Sequence, residues 1–145
     1  MFARILTILA ILTLALMAYV RLAPSSVDRW HRMPESTGPG DYPTDGSFRA
    51  ERRITVTPQE VLAAVEQRAL ATPRTALLAG GIDEGVITFV TRSRVMGFPD
   101  YTTAAVQGDL LVIYGRLRFG QSDLGVNRAR VLGWLETLGP LTEPL

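Results

Sequence analysis

This chain of 145 residues predicts an α+β fold: a mostly antiparallel sheet of about three to five strands with two helices on one face, behind an N-terminal transmembrane helix and a flexible linker. Three observations predict it. The first 22 residues are almost wholly apolar, a Pro/Gly-rich stretch follows, and two capped helical patterns then bracket a series of short β-rich segments. The expected division is an anchor over 1–22, a linker over 23–47 and a globular domain over 48–145.

Ile5 to Val20 carries no charge and only two polar residues, Thr7 and Thr13. With its apolar flanks and the aliphatic stem of Arg21 it reaches the roughly 17–25 residues that a spanning helix needs. A cleaved secretory signal has the same basic start and short core, but needs small residues at alternating positions before the cut. Ala15 and Ala18 are three apart, and the Ala23–Pro24 bond is blocked by its proline, so the expectation is an uncleaved anchor. Arg21, Arg29 and Arg32 outnumber Arg4, and a literal arginine count places the following domain in the cytoplasm. The likeness of the first 20 residues to a signal anchor places it on the other side.

Between Arg21 and Ser47, four prolines (Pro24, Pro34, Pro39, Pro43) and three glycines (Gly38, Gly40, Gly46) rule out a long helix and break any strand. Few apolar side chains offset the entropy of ordering, so this stretch is expected to be mobile. Trp30-His31 stands out within it, as an aromatic clip onto the domain, a headgroup-belt tryptophan, a ligand contact or a catalytic imidazole. Asp41 and Asp45 lack the dense oxygen ligands of a calcium loop.

From Phe48 the pattern changes. Arg49 to Val56 alternates weakly as a strand. Thr57-Pro58-Gln59-Glu60 is a helix start with N-cap, proline and capping-box glutamate in place, and Val56 with Val61 completes a hydrophobic staple. Val61, Leu62, Val65 and Ala69 then share a face, and Pro73 ends the helix. Thr75–Ala79, Val86–Met96, Tyr101–Val106 and Leu110–Phe119 read as strands, with Gly80-Gly81 and Gln107-Gly108-Asp109 as turns. A last helix begins near Asp123 to Asn127, buries Val131, Trp134, Leu135 and Leu138, and stops at Gly139-Pro140.

Composition narrows the chemistry. The net charge is +1, all 15 basic residues are arginine, and no block of like charge occurs, which excludes the basic stripe of a nucleic-acid binder. There is no cysteine, and His31 is the single histidine. No nucleophile elbow, P-loop, dinucleotide fingerprint or histidine–carboxylate cluster is present, so neither a metal nor another cofactor is expected.

The arginines are placed with more information. Strand alternation sets Arg92 and Arg94 with Val90 on one side of their strand, and Arg116 and Arg118 with Tyr114 on one side of theirs. If those sides coincide, four guanidiniums line the sheet face away from the helices, with Asp100 and Asp123 closing its ends. Guanidinium forks bind carboxylate or phosphate bidentately, so the expected ligand is an anionic lipid or a small acid. Ion pairs Arg94–Asp100 and Arg118–Asp123 account for the same residues structurally. Ser122, Asp123 and Asn127 cap the last helix, whose free amides add a second place for an anion.

Arg92-Ser93-Arg94, Gly97-Phe98-Pro99-Asp100-Tyr101, Arg116-x-Arg118-x-Gly120 and Ser122-Asp123-Leu124-Gly125-x-Asn127 together resemble the bacterial and plastid family known as domain of unknown function 1499. The resemblance covers about the last two thirds of the chain, and similar Trp-His pairs precede the domain in some relatives. It implies the architecture above and an address in the bacterial inner membrane, with the C-terminal domain extracytoplasmic. It implies no chemistry. The resulting expectation is a single-pass membrane protein acting as a non-catalytic binding or envelope-associated module. Two alternatives are a hydrolase or transferase on an anionic envelope substrate, with Asp100 or Asp123 as general base, and a structural subunit of a membrane complex.

Overall fold

The computed structural model describes residues 1–145. Helix α1 (Phe2–Leu22) is the apolar segment, and it is long and apolar enough to cross a membrane. A single helical turn, α2 (Val27–Trp30), follows. Next come β1 (Gly40–Pro43), β2 (Ser47–Arg53), α3 (Pro58–Leu70), β3 (Thr75–Gly81), β4 (Val86–Arg92), β5 (Pro99–Gln107), β6 (Leu110–Leu117) and α4 (Val126–Leu138).

Helix α3 begins as its sequence dictates. Thr57 Oγ1 accepts from the Glu60 amide, and the Glu60 carboxylate accepts from the Thr57 amide at 2.9 Å. Both helices lie on one face of the sheet, where Phe48, Ile87, Phe89, Leu111 and Ile113 meet Val61, Leu62 and Val65 of α3 and Val131, Trp134 and Leu138 of α4. The Trp134 ring stands edge-on to Phe89 at 5.7 Å, and its indole N–H donates to Thr72 Oγ1.

The sheet is antiparallel throughout, in the order β1-β2-β6-β5-β4-β3. It has six strands where about three to five were expected. The additional strand is β1, within the Pro/Gly-rich stretch, and an edge strand ending at Pro43 tolerates the missing proline N–H.

The rest of that stretch also departs from a mobile linker. Residues 23–38 run as a strap across the sheet face opposite the helices. Ser25 Oγ and the Tyr101 hydroxyl share a hydrogen bond of 2.7 Å, and Trp30 stacks on Tyr101 with centroids 4.0 Å apart and planes 15° apart. His31 Nδ1 and Thr88 Oγ1 are 3.0 Å apart, and Thr88 in turn bonds Thr103. Gln107 donates to the Pro34 carbonyl, and Glu51 takes hydrogen bonds from Ser36, Thr37 and Gly38. The strap has few apolar side chains, but the sheet supplies partners for its polar atoms and one aromatic seat. Trp30-His31 is therefore a clip onto the domain. His31 fits because Gly80 has φ +83°, and a Cβ there would meet the imidazole Cε1 at 2.6 Å and the Val86 carbonyl at 2.1 Å.

If the strap is part of the folded unit, Trp30→Ala should lower the stability of residues 23–145 by roughly 3 kcal/mol in urea unfolding. An unchanged midpoint would mean that the strap is only laid on the sheet.

Candidate anion-binding site

The structure separates the residues that the sequence grouped, into three places.

Arg116 and Arg118 lie on the outer face as expected, but beneath the strap. Arg116 donates to Thr103 Oγ1 (3.1 Å), to the Tyr114 carbonyl (3.3 Å) and to the Trp30 carbonyl. Its guanidinium also sits over the Trp30 and Tyr114 rings, 5.5 and 4.9 Å from their centroids. Arg118 donates to the Pro24 carbonyl (2.9 Å) and the Tyr101 hydroxyl (3.2 Å). Burial lowers the Arg116 pKa more than the neighbouring Tyr114 and Tyr101 raise it. These two arginines hold the strap down.

Asp100, Ser122, Asp123 and Asn127 belong to the helix side, because Tyr101 faces the strap and its neighbour Asp100 must face the other way. The expected pairs Arg94–Asp100 and Arg118–Asp123 do not form. Arg130, projecting from α4, reaches Asp100 at 3.3 Å and also donates to Asn127 Oδ1 at 2.7 Å. The Asp123 carboxylate caps α4 by accepting from the Gly125 and Asn127 amides, and Ser122 Oγ accepts from the Leu124 amide. Phe98 and Phe119 wall a pocket of about 180 Å³ here, with Asp100, Asp123 and Arg130 in its lining. Burial raises the Asp100 pKa, Arg130 lowers it, and the Asp123 charge raises it again, for a net rise. Arg130 carried no motif that sequence reading could single out.

Arg92 and Arg94 fall in the third place, an open groove of about 600 Å³ at the end of α1. Arg21 and Arg74 complete it, and Ser93 and Gly97 form part of its wall. Each of three guanidinium groups is positioned by main-chain carbonyls. Arg21 Nη2 donates to Val95 O (2.8 Å), Arg74 Nε to Arg92 O (3.0 Å), and Arg92 Nη1 to Gly97 O (3.0 Å) and Val20 O (3.5 Å). No acidic side chain lines the groove, and none of the four arginines has a carboxylate within 4.0 Å. Four like charges share one concavity without a counter-charge, which an anion would relieve. Gly97, at φ +75°, lets Arg21 lie against the turn, since a Cβ there would meet the Arg21 Cγ at 2.9 Å. Arg74, at φ 60°, follows Pro73 in the turn after α3, and only the tertiary fold brings it to Arg92.

A second charge site is structural. Glu51 is fully buried, with Arg49 Nε 3.0 Å from it as well as its three strap donors. Burial pushes its pKa up, but the hydrogen bonds from Ser36, Thr37 and Gly38 and the charge of Arg49 outweigh it and hold the carboxyl below its ordinary 4.5.

The family model of the DUF1499 proteins, described as proteins of unknown function, matches residues 25–138. The matched region runs from within the strap to the end of α4. No curated protein matches the chain.

The two carboxyl pKa values are shifted in opposite directions by folding. Glu51, with its depressed folded-state pKa, stabilises the fold above 4.5 and ceases to do so as pH falls through its lower folded value. Asp100, with its raised value, gains stability for the fold as pH falls towards 3.8. Glu51→Gln should cost roughly 1–3 kcal/mol at neutral pH and flatten the acid limb of a stability–pH profile. Asp100→Asn should make that limb steeper. Urea unfolding at a series of pH values measures both.

Proposed function

This chain belongs to the DUF1499 family, and from its own geometry we propose that it is a single-pass membrane-anchored module that binds an anionic phospholipid headgroup. The observation that carries this reading is the groove of Arg21, Arg74, Arg92 and Arg94, with no carboxylate, at the end of the apolar helix α1. Arg21 is the last basic residue of α1, so a helix that spans a bilayer brings the groove to headgroup height. Guanidinium forks match phosphate oxygens bidentately, and held by carbonyls they lose little freedom on binding. The last turn of α1 also belongs to the domain, with Val20 and Ala23 buried and Tyr19 edge-on to Phe119 at 6.3 Å, which favours a retained anchor over a cleaved signal. The proposed address is the bacterial inner membrane with the domain extracytoplasmic. It rests on the family resemblance and on the signal-anchor character of α1, against the literal arginine count.

A second reading has one specific support. Asp100, with its raised pKa in the pocket walled by Phe98 and Phe119, has the environment of a general acid–base group, as in a hydrolase or transferase.

Thermal shift of the full-length protein in neutral detergent distinguishes the readings. Short-chain phosphatidylglycerol should raise Tm saturably, and phosphatidylcholine should not. Arg94 makes no hydrogen bond within the protein, so Arg94→Ala should weaken the anionic lipid by roughly 1 kcal/mol, about five-fold, without changing the unliganded Tm. Arg116→Ala should lower Tm instead. Equal stabilisation by both lipids would end the headgroup reading. Turnover abolished by Asp100→Asn would establish the second.

A further inference from the structure

Two loops meet at the end of the domain where α1 enters it. Residues 93–98 join β4 to β5, and residues 118–125 join β6 to α4. Together they flank the small pocket that Phe98, Phe119, Ser122 and Asp123 line, and the two phenylalanine rings are 6.0 Å apart. Each loop presents an aliphatic side chain that the protein leaves uncovered: Val95 is 70 % exposed and Leu124 is 93 % exposed. Scattered surface apolar residues need no account, but position sets both of these apart, backbone geometry Leu124, and charge Val95.

The first is position. Arg21, in the last turn of α1, donates to the carbonyl of Val95 itself, and Tyr19 touches Phe119. Both loops therefore stand beside the apolar helix where it emerges. The second is backbone geometry. Leu124 has φ 53°, a left-handed conformation that side-chain-bearing residues seldom adopt, and the turn is secured by Ser122 Oγ on the Leu124 amide and by the Asp123 carboxylate on the next amide. The loop is thus built to hold an uncovered leucine in one place. The third is charge. The turn 93–98 reads Ser-Arg-Val-Met-Gly-Phe, with no acidic residue, and Arg21, Arg74 and Arg94 surround it with basic groups. At Val95 this makes an apolar tip within a basic collar, the composition of a surface that sinks into the headgroup–acyl boundary. Beside Leu124 the one acidic group, Asp123, is turned onto the Gly125 and Asn127 amides.

We infer that the β4–β5 turn and the β6–α4 loop insert Val95 and Leu124 into the membrane beside α1, so that the domain lies on the lipid surface. This rests on the reading of α1 as a membrane anchor, but not on headgroup selectivity in the arginine groove. The occupant of the two loops is lipid, since α1 brings the bilayer to their side, and the short path from Val20 to the strap leaves no spacer to lift the domain away.

The chain has no cysteine, so single labels report cleanly. Full-length Val95→Cys, Leu124→Cys and, as a control at the far end of the domain, Leu145→Cys are labelled with an environment-sensitive fluorophore. They are reconstituted in phosphatidylcholine vesicles with and without phosphatidylglycerol, and intact mass verifies that α1 is retained. Insertion requires blue-shifted emission at 95 and 124 and several-fold stronger quenching there than at 145 by lipids carrying a shallow nitroxide. Labels at 95 and 124 as aqueous as the label at 145 overturn the inference. So does blue-shifted emission that lipid nitroxides fail to quench, which would assign the loops to a protein partner or a second copy. Quenching in pure phosphatidylcholine sustains the inference even if the groove shows no preference for anionic lipid. A preference in the groove with aqueous labels would retain headgroup binding alone. Tm of each labelled variant confirms that the domain is folded.

Discussion

The stack of Trp30 on Tyr101 governs how the whole outer half of the molecule is built. An antiparallel sheet with helices on one face has to wet or cover the other. Here the other face carries Thr88, Thr103, Arg116 and a fully buried Glu51, none of which an apolar layer would tolerate. The strap covers them with a layer rich in hydrogen-bonding groups, and the indole anchors it at the centre. From that point its backbone carbonyls at Pro24 and Trp30 fall on Arg118 and Arg116, while Ser36 to Gly38 fall on Glu51.

The same arrangement sorts the arginines. One group is consumed: Arg116 and Arg118 by the strap, Arg52 by Asp41, Arg130 by Asp100, and Arg49 by Glu51. Arginine suits these places better than lysine because one planar fork serves several acceptors at once. Another group, at the end of α1, is positioned by carbonyls and has no carboxylate side chain beside it. The contrast is informative because the net charge of the whole chain is only +1. The fold gathers four arginines into one groove without an acidic lining residue, where composition shows a near-neutral protein.

Much of the candidate site was legible in outline and not in membership. Alternation separated Arg116 from Ile113 and set Arg92 opposite Phe89, and the structure retains both separations. It also fixed Asp100 opposite Tyr101, which argues against Asp100 closing the arginine face. Arg21 and Arg74 left no trace, since one reads as the end of an apolar helix and the other as a residue after a helix-stopping proline. Arg130 reads as one more polar position on α4.

The sequence by itself determined the local elements: the apolar span of α1, the capping box of α3, the buried stripe of α4 and the two-sidedness of each strand. These follow from interactions within a few residues, so their signals are spacing and residue type. Tertiary structure alone decided the docking of the strap, the pairing of β1, the Asp100–Arg130 bond and the gathering of the arginines at the end of α1. The strap bonds join residues 86 and 94 positions apart, Trp30 to Arg116 and Pro24 to Arg118. A carbonyl acceptor is carried by every residue, so no composition or period distinguishes the one that a distant guanidinium will find.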